Sequence, residues 1–154
     1  QCLVIKLMRI LLQRVSKASV IINSNNFSSI NKGLLVFLGI QTKDTLKDVQ
    51  YLTHKLINLR IFNDDDGLMN LSVLDKQYSI MLISQFTLYG NCKKGNRPSF
   101  INAEKPKKAK VLYQLFIDEL KKYNINLETG KFGANMTVNL TNSGPVTLWI
   151  DSNE

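Results

Sequence analysis

The chain has 154 residues, 44% of them hydrophobic, and no apolar run approaching the ~18 residues that a membrane span requires, so it reads as one soluble globular domain. Two cysteines, Cys2 and Cys92, and one histidine, His54, exclude a zinc cluster and a disulfide framework; no metal is expected, and a reducing, cytoplasmic compartment fits. The net charge of +8 points to a polyanionic partner and is concentrated in one segment, where Lys93, Lys94, Arg97, Lys105, Lys107, Lys108 and Lys110 stand against a single acid, Glu104.

Lys6 and Arg9 interrupt the apolar start of the chain and no small-residue cleavage site follows, which argues against a signal peptide. Residues 8–15 (MRILLQRV) are predicted as a first strand and residues 18–22 as a second, with the polar run 23–26 as the turn after it. Residues 33–40 (GLLVFLGI) are apolar without alternation, the pattern of a central strand covered on both faces. The period then changes. Thr45 with Asp48 fits a capping box, and Leu46, Val49, Leu52, Leu56 and Leu59 recur every three or four residues, which predicts about four turns of helix with His54 facing solvent. Residues 60–70 read as a short strand and an acidic turn closed by Gly67; Asp64, Asp65 and Asp66 lack the spacing and terminal glutamate of a calcium loop.

Residues 80–90 (IMLISQFTLYG) organise the rest. Ile80, Met81, Leu82 and Ile83 form a buried strand, and then Ser84, Gln85 and Thr87 arrive with Phe86 and Leu88 between them. Polar groups at the end of a buried strand must find partners or meet a ligand, because an unpaired one away from water costs about 1–3 kcal/mol. Ser84 and Thr87 therefore either bond to neighbouring backbone as the strand turns or face a ligand. A basic loop follows, then a second helix over residues 106–123, with Pro106 in its first turn and Val111, Leu112, Leu115, Leu120 and Tyr123 facing inward. Aromatic residues do not alternate with the basic ones, so no single-strand stacking platform is expected. Residues 130–133 form a turn, Ala134, Met136, Val138 and Leu140 alternate with polar residues, and residues 146–150 form a last strand. Residues 141–145 between these two strands make an odd hairpin, since Pro145 opens the second without an N–H to donate.

No Ser-His-Asp or Cys-His arrangement assembles from these residues, and no glycine loop opens a helix to hold a nucleotide cofactor. An enzyme built from them works by binding, orientation and backbone donors. Unaided, the pattern reaches a basic α/β domain that binds or acts on a polyanion.

Four motifs carry it further: Gln13-Arg14-Val15, Ser84-Gln85-Phe86-Thr87-Leu88, Arg97-Pro98-Ser99-Phe100 and Asn142-Ser143-Gly144-Pro145-Val146-Thr147. In this order, with Arg60-Ile61-Phe62, Met69-Asn70-Leu71 and Gly130-Lys131-Phe132 between them, the chain resembles the D-aminoacyl-tRNA deacylases. The likeness runs from Met8 to about Ile150, so residues 8–154 read as the deacylase domain and residues 1–7 as an N-terminal extension or an expression remnant. The resemblance implies a compact single-domain α/β fold with mixed β-sheets and two main helices in α/β/β layers. It also implies a homodimer with active sites near the subunit interface, and metal-free hydrolysis of the ester of D-aminoacyl-tRNA, glycyl-tRNA included.

Carried over by residue, Ser84, Gln85, Phe86 and Thr87 line the catalytic pocket, with backbone N–H groups near Phe86 and Thr87 as oxyanion donors. Thr87 positions a water whose attack the ribose 2′-hydroxyl of the substrate assists; Thr87 as covalent nucleophile is the other option. Gly144 and Pro145, joined by a cis bond, are the chirality filter that enters the partner subunit's pocket, with Asn142 in the same motif. Arg14 braces that loop or is a sheet-edge surface charge, and Phe132 and Met136 line the pocket or belong to the core. Lys93, Lys94, Arg97, Lys105, Lys107 and Lys108 form the footprint on tRNA. Two other readings are a sister deacylase for L-alanine mischarged on tRNA, which Arg14 and the intact Ser84 to Thr87 motif disfavour, and a non-catalytic RNA- or DNA-binding relative.

Overall fold

The computed structural model describes residues 7–152. Its elements run β1 (Arg9–Ile22), β2 (Asn25–Ile30), β3 (Gly33–Gly39), α1 (Leu46–Asn58), β4 (Phe62–Asn63), β5 (Met69–Leu71), α2 (Val73–Lys76), β6 (Ser79–Ser84), α3 (Pro106–Leu120), β7 (Asn126–Thr129) and β8 (Thr137–Asp151). Of the predicted extension only Leu7 lies among the described residues, where its N–H donates to Gln41 Oε1 at 2.8 Å.

Two long strands replace the four predicted short ones. β1 runs unbroken for 14 residues, because its N-terminal half pairs with β3 and its C-terminal half with β2, both antiparallel. The polar pair Ser16-Lys17, which separates the two apolar segments in the sequence, sits where one partner hands over to the other. Asn23 and Ser24, at φ 51° and 64°, make the tight turn into β2. On its other edge β1 pairs along its length with β8, whose 15 residues run straight through the segment predicted to be a hairpin. The register slips between Gln13 and Val15 and again between Val15 and Lys17, so that Ser143, Gly144, Pro145 and Val146 drop out of the ladder between the pairs Val15–Asn142 and Gln13–Thr147. A proline is tolerated at such an irregularity because no ladder donor is required of it.

The sheet is mixed. β6 lies parallel to β3 and β7 parallel to β6, giving the order β2-β1-β3-β6-β7 with β8 alongside β1. The apolar runs of β3 and β6 are covered on both faces, as predicted. Leu34, Val36, Leu38, Ile80 and Leu82 face the main core with Leu52 and Leu56 of α1 and Phe116 and Leu120 of α3. Leu35, Met81 and Ile83 face a smaller cluster with Val15, Val20 and Ile30.

Helix α1 starts at Thr45, whose N–H donates to Asp48 Oδ2 at 2.8 Å, and buries Val49, Leu52, Thr53, Leu56 and Ile57. Thr53 can join that stripe because its hydroxyl donates to Val49 O at 2.8 Å. Leu46, assigned to the stripe, is exposed, and His54 faces solvent. In α3 the buried face is Ala109, Leu112, Tyr113, Phe116, Ile117 and Leu120, a cleaner helical period than the one predicted. Val111 lies off that stripe and is exposed, and the helix ends at Leu120, short of Tyr123. The acidic turn closes on itself: Asp64 Oδ1 accepts from the N–H groups of Asp66 and Leu68, both at 2.9 Å, with Gly67 at φ 79°.

Asp44, just before α1, is 1% exposed. Its Oδ2 accepts the Gln41 N–H at 2.6 Å, but burial, aided by Asp48 and Glu104, outweighs that bond and pushes the carboxyl up to about 7. A folded-state value above the ordinary 3.8 means that stability held by the neutral acid is fully present below about pH 4 and is lost as pH rises through about 7. Asp44→Asn keeps an oxygen for Gln41 and removes the charge. It is expected to stabilise the protein at pH 8 by on the order of 2 kcal/mol, a gain discounted for solvent screening and local relaxation, and to melt like wild type near pH 4. Thermal melts across that range check it; a variant less stable than wild type at pH 8 would contradict it.

Candidate active site

The parallel strands β3, β6 and β7 end together, and a site outside the carboxyl ends of such strands is where open α/β sheets hold ligands. β6 is extended by one more bond, Gln85 N–H to Leu38 O at 2.8 Å, and then tightens into a 3-10 turn over Phe86–Tyr89. The first bond of that turn is Leu88 N–H to Gln85 O at 3.3 Å, so the N–H groups of Phe86 and Thr87 come before any intrahelical acceptor.

Beside this turn lies a cleft of about 600 Å³. Ile83, Ser84, Gln85 and Phe86 form one wall, Phe132, Met136 and Val138 a second, and Phe100, Glu104, Lys105 and Ala109 a third. Phe132 and Met136 answer to both readings: each packs on a hydrophobic cluster, and each also lines the cleft. The Phe132 ring leans on Tyr113 with centroids 5.7 Å apart. The Tyr113 hydroxyl donates to Leu82 O at 2.9 Å, and burial pushes it up to about 12, so it stays neutral and anchors α3 against β6.

Ser84 and Gln85 are half-buried and Phe86 and Thr87 exposed. Thr87 stands next to the cleft rather than among its lining residues, and its hydroxyl accepts the Gln85 side-chain amide. His54, the one imidazole, is on the outer face of α1, where Asn58 Nδ2 bonds its carbonyl at 2.9 Å. It does not line the cleft.

Arg14, Asn142, Gly144 and Pro145 are brought together, but outside this cleft. Arg14 Nε donates to Ser143 O at 3.1 Å and Nη1 to Ile61 O at 2.9 Å, while Asn142 Nδ2 donates to Arg14 O and Val146 O, both at 3.0 Å. Arg14 is thus tied into the loop, not left as a surface charge. The Gly144–Pro145 bond is cis, Gly144 has φ 126°, and both residues are exposed. The loop they form leaves the β1–β8 ladder and presents itself to solvent.

Among the basic residues, Lys105 lines the cleft. Lys93, Lys94 and Arg97 are exposed on a loop closed by Asn91 N–H to Ser99 O at 2.8 Å and Ser99 N–H to Asn91 O at 2.9 Å. Lys107 and Lys108 are exposed in the first turn of α3, with Lys108 3.5 Å from Glu104. Sequence reasoning missed Phe100, Glu104, Ala109 and Asn135 as lining residues. Glu104 had a signal, being the lone acid in a basic run; Phe100 had only its place in a motif. Among the described residues no group of three His, Cys, Asp or Glu side chains could hold a metal ion, and no helix is long and apolar enough to cross a membrane.

The sequence model of the D-Tyr-tRNA(Tyr) deacylase family matches residues 11–151. The chain belongs to that family, and is thereby a deacylase of the hydrolase class. It is 53% identical over 146 residues to a D-aminoacyl-tRNA deacylase of Thermosipho melanesiensis, covering 94% of this chain and 97% of that one. Among solved structures it is similar to a c-Myc DNA unwinding element binding protein, with TM-score 0.88 and 41% identity over 93% of this chain and 97% of that chain. In fold alone it is similar to a probable eukaryotic D-amino acid tRNA deacylase, with TM-score 0.82 and 17% identity over 94% of this chain and 99% of that chain.

Proposed function

We propose that this protein hydrolyses the ester joining a D-amino acid, or glycine, to the 3′-terminal adenosine of tRNA, and that it does so in the cytoplasm as a homodimer. The observation that carries the reading is the convergence of Ser84, Gln85, Phe86, Phe132 and Met136 on one cleft with Lys105 at its wall, in a chain so similar to D-aminoacyl-tRNA deacylases. The apolar wall of Phe132 and Met136 suits the adenosine, and the exposed lysines and Arg97 suit the phosphates that lead to it.

In this reading the scissile carbonyl sits against the 3-10 turn. Water adds to the carbonyl carbon, the N–H groups of Phe86 and Thr87 take the charge on the former carbonyl oxygen, and the bond to the ribose 3′-oxygen breaks. The ribose 2′-hydroxyl relays the water proton to the departing oxygen, leaving a free D-amino acid and intact tRNA. Glu104 is the one carboxylate in the lining, and it is engaged by the Lys105 N–H at 2.9 Å and by Lys108 at 3.5 Å, while the Thr87 hydroxyl is bonded to the Gln85 amide, which favours a positioning role for Thr87 over covalent attack. The exposed loop at Gly144 and Pro145, absent from its own subunit's cleft and braced by Arg14 and Asn142, enters the cleft of the partner subunit. There its carbonyl oxygens hold the α-ammonium and leave no room for an L side chain.

Thr87→Ala is expected to lose no more than about tenfold in single-turnover deacylation of D-tyrosyl-tRNA, whereas loss of a covalent nucleophile costs about 10⁴-fold or more. A drop of the larger size, with the fold intact, would assign the attack to Thr87.

A further inference from the structure

We infer that Phe86 and Phe100 form a stacking step for the nucleobase immediately 5′ of the terminal adenosine. This rests on the cleft being the site for the tRNA 3′ end. The sequence gives no hint of a stacking platform, because the aromatic partner of Phe100 comes from another element. In the fold the two rings meet edge to face, with centroids 5.2 Å apart and an interplanar angle of 71°. Both line the cleft, yet Phe86 is 57% and Phe100 37% exposed.

Leaving such rings in water forgoes the roughly 1.5–3 kcal/mol that burying a large apolar side chain contributes. Three backbone features hold Phe100 in this open position. The paired bonds between Asn91 and Ser99 fix the residue before it, and Phe100 O accepts the Ala103 N–H at 3.0 Å on the other side. Gly90 supplies the space: a Cβ there would stand 3.1 Å from Phe100 Cε1. The pair is therefore pre-set, with ring face available at the mouth of the cleft.

The surroundings select the occupant. The loop closed by the Asn91–Ser99 pairing carries Lys93, Lys94 and Arg97, all exposed, and no acid. An apolar ligand gains nothing from that charge, whereas a single-stranded polyanion gains both the charge and the ring. A strand that places its last nucleoside between Ser84 and Met136 and leaves past this loop sets its next base over the aromatic pair. Base stacking on an aromatic side chain contributes about 1–3 kcal/mol and tolerates any base. The contact is made equally before and during ester cleavage, so it lowers KM and leaves kcat alone.

The test uses D-tyrosyl RNA minihelices ending in CCA, with the penultimate nucleotide either intact or abasic, and compares KM for wild type, Phe100→Leu and Phe100→Trp. Wild type is expected to lose about tenfold in KM on the abasic substrate, the lower half of the stacking range. Phe100→Leu is expected to bind both substrates alike, and Phe100→Trp to restore the difference. The tryptophan variant adds a readout independent of turnover: its added emission, over that of Trp149, is quenched by uncharged intact minihelix and not by the abasic one. A Phe100→Leu protein that keeps the wild-type ratio, or equal quenching by both RNAs, overturns the inference. Hydrolysis of 3′-O-D-tyrosyl adenosine by wild type separates this from the wider reading. If that ester is cleaved and the base effect is missing, only the stacking step fails; if it is not cleaved, the proposed function fails.

Discussion

Gly144→Ala is expected to lose about 10²-fold or more in deacylation of D-aminoacyl-tRNA, the scale of a 1 Å misplacement of a positioning group, while the protein still folds. At φ 126° an L side chain is strained whatever space surrounds it. Here the space is also taken, since a Cβ would stand 2.6 Å from Arg14 Nη2 and 2.9 Å from Val146 Cγ2. Arg14 cannot swing aside without giving up its bonds to Ser143 O and Ile61 O, so the loop moves instead. The cost, of order 1–3 kcal/mol, falls on an exposed segment outside both hydrophobic clusters. Single-turnover rates on D-tyrosyl-tRNA beside a thermal melt check the claim. A wild-type rate in the alanine variant would remove this loop from the site.

Gly33→Ala should have the largest effect on stability. Its Cβ would lie 1.9 Å from Ser79 O, 2.7 Å from Ser79 C and 2.9 Å from Ser79 N, all backbone atoms that no rotamer change can move. Gly33 and Ser79 are the first pair of the parallel β3–β6 ladder, and Ser79 N–H donates to Lys32 O at 3.1 Å just before it. Relief means pushing β6 away from β3, which unseats Ile80, Met81, Leu82 and Ile83 from the two clusters they join. A cost above about 4 kcal/mol is exceptional for one substitution and is a large part of the 5–15 kcal/mol by which domains are stable. The variant is expected to be largely unfolded or insoluble at 37 °C. Urea unfolding and soluble yield read the result, and a midpoint within experimental error of wild type would contradict it.

These two glycines show where the sequence is legible and where it is not. Gly33 opens an apolar run whose burial on both faces is plain from its composition, and β3 and β6 were predicted for that reason. The cap at Thr45 and the stripe from Val49 to Leu56 made α1 equally plain. What failed depends on partners. Whether Ser16 and Lys17 end a strand is decided by β8 pairing across from them, and whether Pro145 breaks one is decided by the register slip that lets the ladder skip it. β2 (NNFSSI) and β7 (NLET) have little apolar pattern of their own and exist because an edge was there to pair with.

The site divides in the same way. Ser84, Gln85, Phe86, Phe132 and Met136 lie beside strand ends and turns that local pattern marks, and the structure gathers them in one cleft. Phe100 and Glu104 reach the same cleft because residues 91–99 close on themselves through the Asn91–Ser99 pairing and Ala103 bridges to Gln41, a contact far along the chain with no local signature. Arg14 was ambiguous between brace and surface charge because its acceptors, Ser143 O and Ile61 O, are backbone atoms far along the chain.

The most direct test of the account is the rate at which the purified wild-type protein deacylates D-tyrosyl-tRNA and L-tyrosyl-tRNA side by side. The expected result is rapid loss of the D ester with the L ester spared at its spontaneous rate. A folded protein that leaves the D ester as stable as in buffer, or that removes both esters equally, would contradict it.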